Sequence, residues 1–98
     1  MISITITPES LSVQGHAGYN AGNDIVCAAV SALVQTFEVS AKEFTTDCIK
    51  SSLQDGCAVI AWPRAPTREL KLLIDSFTLG LMQVSAAYPD NVSITCTR

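Results

Sequence analysis

The sequence has one histidine, six basic residues against nine acidic ones, and no run of Lys or Arg. A lone imidazole leaves no second nitrogen ligand, and no Cys-x-x-Cys pair occurs among the cysteines at 27, 48, 57 and 96. The usual ligand spacings are therefore missing and no metal site is expected. A net charge of -3 without a basic stripe removes the electrostatic footprint of nucleic-acid binding, so no direct nucleic-acid contact is expected. The glycines near the N-terminus are not followed by Gly-Lys-Ser/Thr and lack dinucleotide-binding spacing, which argues against a phosphate loop; no organic cofactor is implied. The opening Met-Ile-Ser-Ile-Thr-Ile-Thr has neither a basic start nor a long apolar segment, so it reads as neither signal nor membrane span. The chain is accordingly expected in the cytoplasm, off the membrane, with free thiols. Charged residues make up only 15 % of the chain, and that thin charge on a small domain points to self-association as a homodimer.

What is present reads as one domain spanning residues 1–98, with 48 % apolar residues to build a core. Ile2, Ile4 and Ile6 alternate with Ser3, Thr5 and Thr7, the period of a half-buried strand. Pro8-Glu9-Ser10 turns the chain into a second strand through Leu11 and Val13, which delivers Gly15 and His16 at its end. Asp24 is a good N-cap for a helix running to about Glu38, apolar on nearly every side and so expected to be buried from more than one direction. A strand over Phe44 to Leu53 and another over Cys57 to Trp62 are joined by Asp55-Gly56, a strong hairpin signal that sets Gln54 opposite Cys57. Thr67 caps a second helix to about Ala87, with Leu70, Leu73, Ile74, Phe77, Leu81 and Val84 as its core stripe. Val92, Ile94 and Cys96 alternate in a last strand. The order ββαββαβ implies an α+β fold, a layered sandwich of two helices packed with small antiparallel β-sheets. Cys48, Cys57 and Cys96 read as small buried core residues.

Chemistry concentrates between Gly15 and Ala29. Cys27 falls in the first turn of the first helix, where free N–H groups and the positive end of the helix dipole stabilise a thiolate. His16 lies just upstream in a loop with glycines at 15, 18 and 22, whose backbone freedom suggests a segment that is mobile until peptide binds. A cysteine on an apolar helix is more often plain core, and a loop histidine is as often a hydrogen-bonding residue as a catalyst. Asp24 reads equally as N-cap and as a group orienting His16. Ser31, one turn beyond Cys27, lies on the same helix face.

The stretches Gly15 to Tyr19 and Gly22 to Ser31, the latter holding Asp-Ile-Val-Cys-Ala-Ala-Val-Ser, resemble the signature of the ribosomal-processing cysteine protease family of bacteria, and the order of elements fits that family along the whole chain. The resemblance implies a cysteine endopeptidase that removes the N-terminal extension of a large-subunit ribosomal protein beside aromatic residues. It implies His16 and Cys27 as the catalytic pair, with Asp24 as a third member. Gly15, Gly18, Tyr19, Gly22 and Ser31 then become the substrate-binding set, and the backbone N–H of Cys27 the oxyanion donor. The loop between His16 and Cys27 is a residue shorter than the commonest form in that family. Two alternatives stay open: a non-catalytic peptide- or ribosome-binding module of the same fold, and a phage or mobile-element relative with another substrate.

Overall fold

The computed structural model describes residues 1–20, 22 and 24–97. Its elements follow the expected order: β1 (Ile2–Ile6), β2 (Ser10–Gln14), α1 (Ile25–Phe44), β3 (Lys50–Gln54), β4 (Cys57–Ala61), α2 (Arg68–Ala87) and β5 (Val92–Cys96). The fold is α+β. All the strands join one five-stranded sheet in the order β3-β4-β2-β1-β5 rather than several small ones. The sheet is mixed: β5 lies parallel to β1 with Ile4 beside Ile94, while β1–β2, β2–β4 and β3–β4 are antiparallel. Parallel pairing follows from connectivity, because α2 carries the chain from β4 across β2 and β1 to the far edge. The hairpin register is as the Asp55-Gly56 turn requires, with Gln54 opposite Cys57.

Period-2 alternation places Ile2, Ile4, Ile6, Leu11, Val13, Ile60 and Val92 in one buried cluster with Val26, Val30, Val34 and Phe37 of α1 and Leu70, Ile74 and Leu81 of α2. Phe37 is its centre, with ring centroids 5.8 Å from Trp62 and 5.7 Å from Phe77. Trp62 is buried yet satisfied, since its Nε1 donates to the Pro8 carbonyl at 2.9 Å. Thr67 caps α2 as expected, its Oγ1 accepting from the Leu70 N–H at 3.2 Å.

Three expectations need correction. α1 continues past Glu38 to Phe44, and β3 begins only at Lys50. No Gly or Pro interrupts Val39 to Phe44, and a Lys42–Glu38 pair at 3.0 Å lies across one turn, so nothing stops the helix where charge first appears. α1 is buried along one stripe only: Ile25, Val39 and Phe44 are exposed, as are Leu72, Leu79 and Met82 of α2. Each helix packs on the single sheet and on the other helix, which leaves its outer face uncovered. Both helices are long and apolar enough by length and composition to cross a membrane, but their buried stripes are used against the sheet. Finally, Cys48, Cys57 and Cys96 are exposed free thiols rather than core residues.

Candidate active site

β2 ends at Gln14, and the chain turns at Gly15 with φ +93°, its N–H donating to the Gly56 carbonyl at 2.9 Å. That bond fixes the start of the loop to the β3–β4 turn. The turn in turn supports His16. A β-carbon added at Gly56, whose φ is +73°, would fall 2.9 Å from His16 Nε2, so the imidazole lies directly on glycine backbone. The His16 carbonyl accepts from the Met1 amino group at 2.7 Å. Ala17 is buried; its N–H donates to Cys27 Sγ at 3.2 Å, and its carbonyl accepts from Asn91 Nδ2 at 3.0 Å. The Tyr19 N–H reaches Asp24 Oδ2 at 3.1 Å, and the Tyr19 ring meets Tyr88 edge to face with centroids 5.4 Å apart. Gly15, His16, Ala17 and Tyr19 are thus tied to the β3–β4 turn, the N-terminus, α1 and the α2–β5 junction. The segment expected to be mobile therefore carries main-chain hydrogen bonds to neighbouring elements at Gly15, His16, Ala17 and Tyr19. Ala21 and Asn23, within the remainder of the expected loop and signature, lie outside the described residues.

Asp24 acts as the N-cap of α1: Oδ1 accepts from the N–H groups of Val26 at 3.0 Å and Cys27 at 2.9 Å. The N–H of Cys27, with those of Tyr19 and Val26 and a contribution from the Cys27 side chain, holds the Asp24 carboxyl below its ordinary value against a smaller opposing effect of burial. Asp24 makes no hydrogen bond to His16 among the described residues. Two consequences follow. Its structural role accounts for both carboxylate oxygens, and the Cys27 N–H is not free to bind an oxyanion as expected, being occupied by the cap.

His16 and Cys27 open onto one cleft of about 140 Å³ between the start of α1 and the β3–β4 hairpin. Val13, Val30, Val34 and Leu53 give it apolar walls, while Ser31 and Gln35 add polar groups along α1. An apolar cavity of roughly 150 Å³ admits a benzene ring, so the space suits one large apolar or aromatic side chain. Of the residues the resemblance implies for substrate binding, Gly15 and Ser31 line the cleft, whereas Gly18, Tyr19 and Gly22 do not. Tyr19 is drawn away because Tyr88 offers its ring a partner. Sequence reasoning missed Ala17, Gly56, Leu53 and Asn91. Gly56 was recognisable as a turn glycine, but only the β2–β4 pairing brings that turn to His16; Asn91 carries no local signal.

A family model described as "Cysteine protease Prp" matches residues 1–93. Among solved structures, the ribosomal processing protease Prp from S. aureus with a covalently linked product peptide superposes with a TM-score of 0.91 at 23 % identity, covering 99 % of this chain and 100 % of that one. The same S. aureus protease with a substrate peptide gives 0.81 at 20 % identity, covering 99 % and 100 %. SMU.848 from Streptococcus mutans gives 0.71 at 25 % identity, covering 98 % and 91 %. No curated protein matches the chain.

Proposed function

The chain belongs to the Prp family of cysteine proteases, and from that premise we propose that it removes the N-terminal extension of a large-subunit ribosomal protein in the cytoplasm, with Cys27 as nucleophile and His16 as general acid and base. The observation that carries this reading is the shared cleft: the only histidine and the only cysteine in a helix first turn open onto one space of side-chain size. In the reaction His16 takes the thiol proton as Cys27 Sγ bonds to the scissile carbonyl carbon, and the carbonyl π pair moves to oxygen. Collapse re-forms the carbonyl and expels the amine, which leaves with the proton held by His16. Water, deprotonated by His16, then attacks the thioester; the C–S bond breaks and the thiol regains its proton. Asp24 serves this chemistry by capping α1 beneath Cys27 and anchoring Tyr19, not by orienting His16.

The S. aureus protein in the solved complexes is described as a ribosomal processing protease holding substrate or product peptide. Its fold likeness supports a peptide substrate here. The cleft walls favour an aromatic or large aliphatic side chain beside the scissile bond. Exposed Leu72, Leu79 and Met82 on α2 support a homodimer, which light scattering at high micromolar concentration checks; a monomer there refutes it.

The deciding experiment incubates the protein with a synthetic peptide carrying the N-terminal extension of that ribosomal protein from the same genome. A single cleavage, absent with Cys27→Ala, is expected. Replacing the substrate aromatic next to the cut by Ala should lower kcat/KM by about 1 to 3 kcal/mol in transition-state binding. No cleavage of the extension, with activity on unrelated peptides, would overturn the ribosomal assignment.

A further inference from the structure

At the helix start that holds Cys27, the N–H groups of Val26 and Cys27 both end on Asp24 Oδ1, and that of Tyr19 on Oδ2. One other main-chain donor is aimed at the sulfur. The Ala17 N–H lies 3.2 Å from Cys27 Sγ, on a residue that is 3 % exposed. We propose that the Ala17 N–H is the oxyanion donor of this protease, and that Asn91 is the positioning residue that holds it in place.

The chemistry of the exchange favours this assignment. Sulfur is a weak acceptor, so the bond made in the free enzyme is a weak one. When Sγ bonds to the scissile carbon, the carbonyl π pair moves to an oxygen only one further bond away, within reach of the same N–H. A weak bond to sulfur is then replaced by a charge-assisted bond to O⁻, so the donor gains most in the transition state, which is the condition for raising kcat rather than lowering KM. Burial of Ala17 keeps water from competing and strengthens the bond.

Such a donor works only if its peptide is held still. Asn91 Nδ2 donates to the Ala17 carbonyl at 3.0 Å, from 74 positions away in sequence. Asn91 is itself fixed by its main chain, whose N–H donates to the Tyr88 carbonyl at 3.0 Å and whose carbonyl accepts from the Ile2 N–H at 2.8 Å. The α2–β5 junction thereby becomes a rigid mount for the catalytic loop. An ordinary turn asparagine would bond within its own turn; this one reaches across to the loop.

The inference rests on Cys27 being the nucleophile, and its test separates the two claims. Wild-type cleavage of the extension peptide tests the function; the variants are then read against wild type, and alkylation of Cys27 by iodoacetamide needs no substrate. Asn91→Asp keeps the shape and removes the donor. It should lower kcat about ten- to a hundredfold, part of the loss seen when an oxyanion donor is deleted outright, with KM changed by no more than about twofold. Cys27 alkylation at pH 7 should change in rate, because the Ala17 N–H is no longer held against Sγ. The second test needs no Asn91 variant: an amide-to-ester analogue at Ala17, made by chemical ligation, replaces this N–H by oxygen and should lower kcat at least as much. Wild-type kcat in the folded ester analogue would overturn the donor. Wild-type kcat in Asn91→Asp, or a rise in KM at constant kcat, would overturn the positioning role.

Discussion

Gly56→Ala isolates the contact between the β3–β4 turn and His16, the proposed general acid and base. The new methyl carbon would fall 2.9 Å from His16 Nε2, whereas ordinary van der Waals contact begins near 3.4 Å. Either the imidazole or the turn must therefore give by about half an ångström. The turn has little freedom, because its carbonyl holds the Gly15 N–H and its strands are paired with each other and, through β4, with β2. The imidazole, in an open cleft, is the part that moves. A displacement of about 1 Å at a reacting group can cost a hundredfold in rate, so half that predicts a fall in kcat of roughly tenfold. A separate cost arises from φ +73°, which a β-carbon destabilises by roughly 1 to 2 kcal/mol. That cost appears as a lower Tm, about 4 to 8 °C per kcal/mol for a domain of this size. Gly56→Asn separates the two effects, since Asn tolerates the left-handed region better while still carrying a β-carbon. Peptide cleavage and thermal melts on both variants form the assay. Both should lose activity, with the Asn variant melting higher than the Ala variant. Wild-type kcat/KM in Gly56→Ala would refute the reasoning, showing that His16 does not rest on the turn during turnover.

Cys27→Ala should abolish cleavage with little loss of stability, because a half-buried position in the first turn of an alanine-rich helix leaves almost no cavity; an activity assay with circular dichroism checks both halves. Phe37→Ala should cost about 3 to 5 kcal/mol, since it removes the fully buried ring that joins Trp62 and Phe77, and urea denaturation reads the loss. The Asp24 carboxyl is lowered in the folded state, so its stabilising effect is present in full above the unfolded carboxylate value near 4 and disappears as pH falls through the lower folded value. Melts from pH 2 to 7 should show wild type more stable than Asp24→Asn at neutral pH, with the gap closing in acid; a gap constant with pH would contradict the assignment.

Local chemistry made several elements readable. The Ile-Ser-Ile-Thr-Ile alternation, the Asp55-Gly56 turn and the Asp24 and Thr67 caps act within a few residues of themselves, and each appears where its own geometry demands. The placement of Cys27 in a first turn was local in the same sense. The extent of α1 was not, because a helix ends where packing and competing pairing end it, and charge appearing at Glu38 has no power to stop one.

The burial of the cysteines and of the helix faces depended on how many layers the sheet would form, a property of the whole chain: one mixed sheet leaves Cys48, Cys57, Cys96 and the outer faces of both helices uncovered. The site divides along the same line. His16 and Cys27 could be named from residue type and position, but their supports come from distant segments: Gly56 arrives through β2–β4 pairing, and Asn91 through the parallel docking of β5 on β1. Tyr19 faces Tyr88, outside the cleft, because α2 ends beside the loop. Periodicity and capping report energies between neighbours in sequence, whereas the donors, the contact surface of the imidazole and the walls of the cleft are set by groups that meet only after the sheet closes its order.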